Sequence, residues 1–391
     1  MSDVLRIVHM IPALTKGGAE RVAVDLANAS ARAGHEVTLV AGWKVDEQVL
    51  RVRLNPGIRM IYMTETPGGK LQRYRAGLGW ILANLSWLAG QDILHLHLTQ
   101  AAVLGTILYT LRSLGWRKGP AIVETYHSVG MKIPERVRAF RAWNCRRRDA
   151  IAVMALDPYW RDFIARNPSL IAELIPNGVD APVGAAPADD VRAYLNAVGV
   201  PRSARLIFGT VGQFRASRQP LTMARILIDV LKQTPDDVHA LMCGSGTELE
   251  SVRQLVSEAG MSERFTLPGV VNEPRLAMSG MSLYLTLNVG PITGIAALEA
   301  AFCGVPVIAL QTDSSNEQSE DDWIWSSSVP EALTKRTVML LADPDERIRV
   351  GARQHGHAIA EYSVASMCRR YLALYRRVLE ARRTTARVSR K

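Results

Sequence analysis

No cysteine pair stands at CxxC spacing in these 391 residues. The four cysteines, Cys145, Cys243, Cys303 and Cys368, lie far apart, and no His/Cys cluster has metal-ligand spacing. That excludes a disulfide-rich secreted scaffold and a zinc ribbon, and it reads the thiols as reduced, which points to the cytoplasm. The start of the chain, MSDVLRIVHMIP, enters a strand at once without a basic region and long apolar core, so no signal peptide is expected. Long hydrophobic runs are missing too. The longest near-apolar stretch, Ala76 to Gly90, has 15 residues, short of the ~20 that a spanning helix needs. The dinucleotide fingerprint Gly-x-Gly-x-x-Gly is absent from the first strand-to-helix turn, which lowers an oxidoreductase reading. No convincing Asp-x-Asp or other metal cluster appears, so no metal requirement is expected.

What is present is enough chain for two ordinary domains, each with its own core. The formal charge of +10 is unevenly spread: +8 up to Asp180, −6 from Ala181 to Cys368, and +8 from Arg369 to Lys391. A basic face can meet nucleic acid, an anionic membrane or a phosphorylated substrate, and charge alone does not choose. No groove-reading or base-stacking motif accompanies it, so nucleic acid is not expected as a partner.

Apolar runs alternate with amphipathic ones along the chain, the pattern of parallel sheets covered by helices. The first unit runs as a strand to Ile11, a loop with Gly17 and Gly18, a helix from Ala19 to Ala33, and a strand after His35. Further strands are expected at Asp92 to Leu98, Ala121 to Thr125 and Ile151 to Ala155. His127 stands just past a strand end and, on residues alone, reads better as a satisfied loop histidine than as an active-site group. His95 and His97 read as core or supporting residues. Pro176-Asn177-Gly178 and the small-residue run to Asp190 mark a boundary. A second α/β unit follows: a strand from Arg205 to Val211, the Gly212 loop, a helix from Leu221 to Lys232, and a strand from Val238 to Cys243 ending at Gly244. Leu283 to Leu310 (LYLTLNVGPITGIAALEAAFCGVPVIAL) reads as strand, loop, helix, strand, with the free N–H groups of the first helical turn, around Thr293 to Ala296, able to hold a phosphate. Tyr362 to Arg383 reads as a closing helix with a basic tail.

These segments resemble, in order, the retaining family 4 glycosyltransferases. Lys16-Gly17-Gly18-Ala19-Glu20-Arg21 is similar to that family's Gly-Gly-Ala-Glu-Arg loop, Ile175 to Asp180 (IPNGVD) to its interdomain crossing, and Glu299-Ala300 with Cys303-Gly304-Val305-Pro306-Val307 to the second half of its donor motif. The resemblance covers Leu5 to about Arg383. It implies an α/β protein of GT-B fold: two Rossmann-like domains facing each other across a cleft, residues 1–180 binding the acceptor, 181–365 the nucleotide sugar, and 366–391 a helix crossing back plus a tail. It implies a metal-independent hexosyltransferase that moves sugar from a UDP- or GDP-linked donor to a glycan or lipid-linked acceptor, in surface polysaccharide or glycolipid synthesis, with no cofactor beyond the substrate. His127 carries over as the catalytic residue orienting donor sugar or acceptor. Gly17, Gly18, Gln213, Arg215, Arg218, Gly244, Thr293, Gly294, Ile295 and Glu299 carry over as the donor site, with Glu299 on the ribose.

The pattern departs at two places. The leading Glu of the family's Glu-x7-Glu pair falls on Pro291, and an Arg that holds the diphosphate falls on Gln213, with Arg215 close enough to compensate; Arg218 replaces a Lys. These losses motivate the rival reading of a catalytically inactive relative that acts as a partner in a polysaccharide-assembly complex. Aromatic and basic residues mix at Lys70 to Trp87 and Lys132 to Arg148. That suits peripheral contact with an anionic membrane at the cytoplasmic face, or equally a solvated helix face over a core stripe.

Overall fold

Strand runs such as ILHLH and AIVETY bury every residue, so they have no polar face to show to water and need helices above and below. The computed structural model describes residues 4–15, 17–45, 51, 53–66, 68–116, 119–127, 134–180, 186–288, 294–311 and 323–388. The chain divides into two compact units, residues 1–180 with 364–391, and residues 181–363.

Unit 1 holds β1 (Arg6–Ile11), β2 (Glu36–Trp43), β3 (Arg59–Thr64), β4 (Ile93–His97), β5 (Ala121–Tyr126), β6 (Ala150–Val153) and β7 (Ile171–Leu174). They lie in the order β3-β2-β1-β4-β5-β6-β7, and every pair is parallel. Unit 2 holds β8 (Leu206–Val211), β9 (Val238–Cys243), β10 (Phe265–Thr266), β11 (Leu283–Asn288), β12 (Val307–Gln311) and β13 (Trp325–Ser327). Their order, β10-β9-β8-β11-β12-β13, repeats the same scheme, again all parallel. Both are Rossmann-like sheets. In each, strand order reverses once, between β1 and β4 and between β8 and β11, and a crevice opens there at the carboxyl ends of the strands.

Backbone strain gathers at both reversals. Among the described residues only two outside glycine have positive φ, Leu98 at 66° and Gln219 at 44°. Leu98 follows β4 directly and begins the helix Leu98–Ser113, with no loop to absorb the turn. Gln219 caps the helix Pro220–Leu231 in the connection after β8. Strain of this kind persists where surrounding structure over-determines it, which is commonly at functional sites.

The last helix, Val364–Val388, belongs to unit 1, where Met367, Tyr371, Leu374 and Tyr375 pack with Ile7, Val22, Ile93 and Val123. Among the described residues no helix is long and apolar enough to cross a membrane. One ion pair is fully enclosed in unit 1. The Arg148 side chain, 0% exposed, donates to Glu124 at 2.7 Å, to the Thr106 hydroxyl at 3.0 Å and to the Ala102 carbonyl at 2.6 Å. Removing one partner leaves a buried charge uncompensated. We expect Arg148→Met to destabilise the protein by about 3–5 kcal/mol, and the double variant with Glu124→Met to recover much of that loss, read by urea denaturation.

Candidate functional site

The crevice of unit 2 is a cavity of about 310 Å³ between the ends of β8 and β11. Thr210, Gly212, Gln213, Phe214, Arg218, Met242, Tyr284, Gly294 and Ile295 are among its lining residues. The apolar run of β11 brings Tyr284 to its floor, where burial raises the phenol to about 12 and keeps it protonated. The phenol donates to the Val211 carbonyl at 3.0 Å and accepts from the Val211 N–H at 3.2 Å. It thus satisfies backbone groups beyond the last β8–β11 pair, Tyr284↔Gly209, and fixes the start of the Gly212 loop.

The helix Ile295–Phe302 opens at this cavity with Gly294 as its N-cap, and no side chain caps it. Its first intrahelical bond runs from Leu298 N–H to Gly294 C=O. The N–H groups of Ile295, Ala296 and Ala297 therefore have no acceptor within the helix, and all three residues line the cavity. Such a terminus favours an anion, and Arg218 adds a guanidinium to the same wall. Gln213 accepts from Arg215 Nε at 2.8 Å, with a second guanidinium nitrogen on the same oxygen. The amide thus holds the Arg215 charge at the cavity's rim.

Gly244 does not line the cavity. Its φ is +140°, a side chain there would meet the Gly212 carbonyl, and its N–H donates to Gly269 C=O at 2.7 Å. It positions the Gly212 loop. Glu299, one turn into the helix, is not itself among the lining residues; its carboxylate lies 3.5 Å from Arg275 and close enough to Tyr284 to help raise that phenol. Thr293 and Pro291 lie outside the described residues. A larger cleft of about 1130 Å³ borders Arg205 and Ile207 at the other edge of this sheet. Helices end beside it at Gly280 and Gly304, while the start of the helix Ala188–Ala197 and the side chains of Arg192, Arg205 and Arg275 also line it. Asp343 and Asp345 have the spacing of a metal-binding carboxylate pair, but Asp343 caps the helix Pro344–Tyr362 by accepting from the Glu346 N–H.

In unit 1, Gly17 is the N-cap of the helix Gly18–Arg32. The Glu20 carboxylate lies against it and accepts from the Thr15 hydroxyl at 2.6 Å. A carboxylate in that place repels phosphate and suits a ligand that brings hydroxyl donors. A second cavity, about 430 Å³, lies past the ends of β4 and β5, lined by Thr99, Glu124, Thr125, His127, Arg141 and Asn144 among others. His127 Nε2 is 3.1 Å from His97 Nδ1, and His97 Nε2 is 3.1 Å from His9 Nδ1. The neighbouring His95 binds Thr125 Oγ1 and the Tyr375 hydroxyl, each at 2.7 Å. Sequence reasoning passed over His9 and Tyr284; the signal for His9 was a lone imidazole inside the otherwise apolar, buried run IVHMI.

The family model described as Glycosyltransferase Family 4 matches residues 16–182, and that described as Glycosyl transferases group 1 matches residues 205–343. A D-inositol 3-phosphate glycosyltransferase of Corynebacterium jeikeium (strain K411) is 28% identical over 176 residues, 41% of each chain. A protein of the same name from Arthrobacter sp. (strain FB24) is 27% identical over 237 residues, 56% of this chain and 54% of that one. The chain thus spans about half the length of these curated relatives. The crystal structure of Anabaena Alr3699/HepE in complex with UDP and glucose superposes with a TM-score of 0.70 at 16% identity, covering 94% of this chain and 99% of that one.

Burial holds His9 down to about 3, His127 and His239 to about 4, and His95 and His97 well below the usual histidine value. Each stays neutral in the fold and gains a proton on unfolding once the pH is below about 6.5. The unfolded state then binds more protons, so stability falls as pH drops from about 6.5 toward 4. Each such histidine adds a slope of about 1.4 kcal/mol per pH unit. Urea midpoints measured from pH 7.5 to 5 should show this loss, and His9→Leu should make it shallower by one histidine.

Proposed function

Because the chain belongs to the family 4, group 1 glycosyltransferases, we propose that it moves a sugar from a UDP- or GDP-linked donor to a glycan or lipid-linked acceptor with retention of anomeric configuration. Unit 2 takes the donor and unit 1 the acceptor. The observation that carries this reading is the unit 2 cavity, where the open helix terminus at Gly294 and Ile295 meets Arg218. A departing nucleoside diphosphate develops negative charge, and preorganised N–H groups and a guanidinium stabilise it without reorganisation. Arg215, held by Gln213, supplies the second cation. UDP in the Anabaena Alr3699/HepE crystal structure supports a nucleotide donor. Glu299 clamps the donor ribose, exchanging Arg275 for the two hydroxyls. His127, with Gly17 and Gly18, meets the sugar or the acceptor, and the Glu20 carboxylate beside Gly17 favours hydroxyls there. The reaction belongs to surface polysaccharide or glycolipid synthesis, and protein groups rather than a metal neutralise the diphosphate.

The test is a panel of UDP-, GDP- and ADP-sugars scored by thermal shift and by slow release of the nucleoside diphosphate, with and without EDTA. A selective shift with EDTA-resistant release is expected. Arg218→Ala and Glu299→Ala should each weaken donor binding by about 10- to 100-fold, the loss of one charge-assisted contact. Turnover abolished by EDTA would replace the metal-free account. No shift with any nucleotide would favour the inactive partner in an assembly complex.

Peripheral membrane contact draws support from the helix Glu135–Cys145. Phe140 and Trp143 are 50% and 43% exposed, their rings stack at 6.0 Å, and the Arg147 guanidinium lies 3.7 Å from the Trp143 ring centroid. Apolar rings beside arginines suit an anionic lipid surface. Co-sedimentation with phosphatidylglycerol vesicles should fall at least severalfold in the double variant F140S/W143S. Equal sedimentation of the two proteins would assign this face to solvent.

A further inference from the structure

His9, His97 and His127 stand in single file. Each of the two contacts joins Nδ1 of one ring to Nε2 of the next, at 3.1 Å. Burial keeps all three rings neutral, and a neutral imidazole has one proton for two nitrogens. His97 is engaged at both nitrogens, so it donates through one and accepts through the other. Only two arrangements make both bonds: every ring protonated at Nε2, or every ring protonated at Nδ1. The terminal nitrogens, His9 Nε2 and His127 Nδ1, are buried and have no partner. The tautomer of His127 is therefore tied to that of His9, two rings away. Since Nε2–H is the commoner tautomer of a free histidine side chain, the file applies that preference three times over.

We infer that His9 and His97 are positioning residues for His127: they hold it as the Nε2–H tautomer, so that Nδ1 offers a bare lone pair to a substrate hydroxyl. This rests on the reading of His127 as a substrate-facing residue. The competing use of these side chains is a metal site, because ligand atoms of His9, His95 and His97 lie within 4.8 Å of one another. Both nitrogens of His95 are already held by hydroxyls at 2.7 Å and both of His97 by imidazoles, which leaves His9 Nε2 as the one unengaged nitrogen of the three. One free ligand does not make a metal site.

The test uses the full chain labelled with ¹⁵N-histidine and long-range ¹H–¹⁵N spectra at pH 7.5, which report the proton on each ring nitrogen without any need for turnover. In the wild type, His127 should carry its proton on Nε2. His9→Leu, which does not touch His127, should shift the His127 tautomer ratio by about fivefold, the bias that one hydrogen bond sustains. His9→Asn, whose amide oxygen can still accept from His97, should restore the wild-type ratio. His9→Ser carries the same readout if His9→Leu does not fold. In transfer assays His9→Leu should lower kcat several-fold and leave the donor KM unchanged, with His9→Asn close to wild type. An unaltered His127 tautomer in His9→Leu overturns the inference even if kcat falls, as does stoichiometric zinc on the purified protein. A coupled tautomer in a protein that binds no nucleotide sugar would uphold the file and sink the transferase reading instead.

Discussion

A parallel sheet sends the carboxyl end of every strand, and the N-terminus of every helix that follows one, to a single edge. Where strand order reverses, two neighbouring connections leave in opposite directions and the edge opens. This chain meets that constraint twice, at β1/β4 and at β8/β11. The open helix terminus at Gly294, the Gly212 loop, the file of histidines and both strained non-glycine residues lie at or beside those two reversals. The opposite edge of the second sheet has the larger cleft, beside the start of β8 and away from the carboxyl ends of the strands. Volume would favour that cleft; chain topology favours the smaller cavity.

The two reversals differ in how they treat polarity. Unit 2 leaves its donors open: three N–H groups without helical acceptors, and arginines at the rim. Unit 1 encloses its polar groups and pairs nearly all of them, Arg148 with Glu124 and His95 with Thr125 and Tyr375. An unpaired buried polar atom costs about 1–3 kcal/mol. The two imidazole nitrogens left unpaired at the ends of the file are therefore informative. A core that pairs its other histidines this thoroughly has tolerated that cost at His127, in the lining of a cavity. Enclosure also lowers the local dielectric, which keeps the rings neutral and makes each remaining hydrogen bond directional.

Much of the fold was legible because its strands are buried on both faces and its helices are amphipathic. The strands at 93–97, 121–126, 206–211 and 238–243, and the helix at 295–302, fall where apolar runs and glycines predict them. Strands β3, β7 and β13 were not legible. β3 and β7 are half-buried edge strands of four to six residues, and β13 has three, too few to show a period. The unit 2 cavity was legible in outline, since a loop of glycines before a helix is a local pattern. Its floor was not. Tyr284 reads as one more apolar strand residue until its hydroxyl is found on the Val211 backbone, and the close approach of Gly244 to the Gly212 carbonyl shows only in space. The histidine file was illegible for the same reason: His9 and His97 are 88 positions apart and meet only because β1 pairs with β4.

A motif position records where a charge enters the chain, whereas a ligand senses where the charge stands in space. At Gln213 the two separate. Read by position, a cation has been lost; read in space, the amide oxygen accepts two guanidinium nitrogens of Arg215 and keeps a positive group at the cavity's rim. The arrangement is not equivalent to a direct arginine. Both side chains are exposed, so the contact competes with water, and a guanidinium committed to an amide has fewer N–H groups left for phosphate. Arg218, which lines the cavity itself, is then the better placed of the two cations toward an anion there. A site that leans on one arginine and a helix terminus has its positive charge gathered on one side of the anion. Such an anion is held by direction more than by enclosure, and the helix terminus, whose N–H groups cannot turn away, supplies that direction.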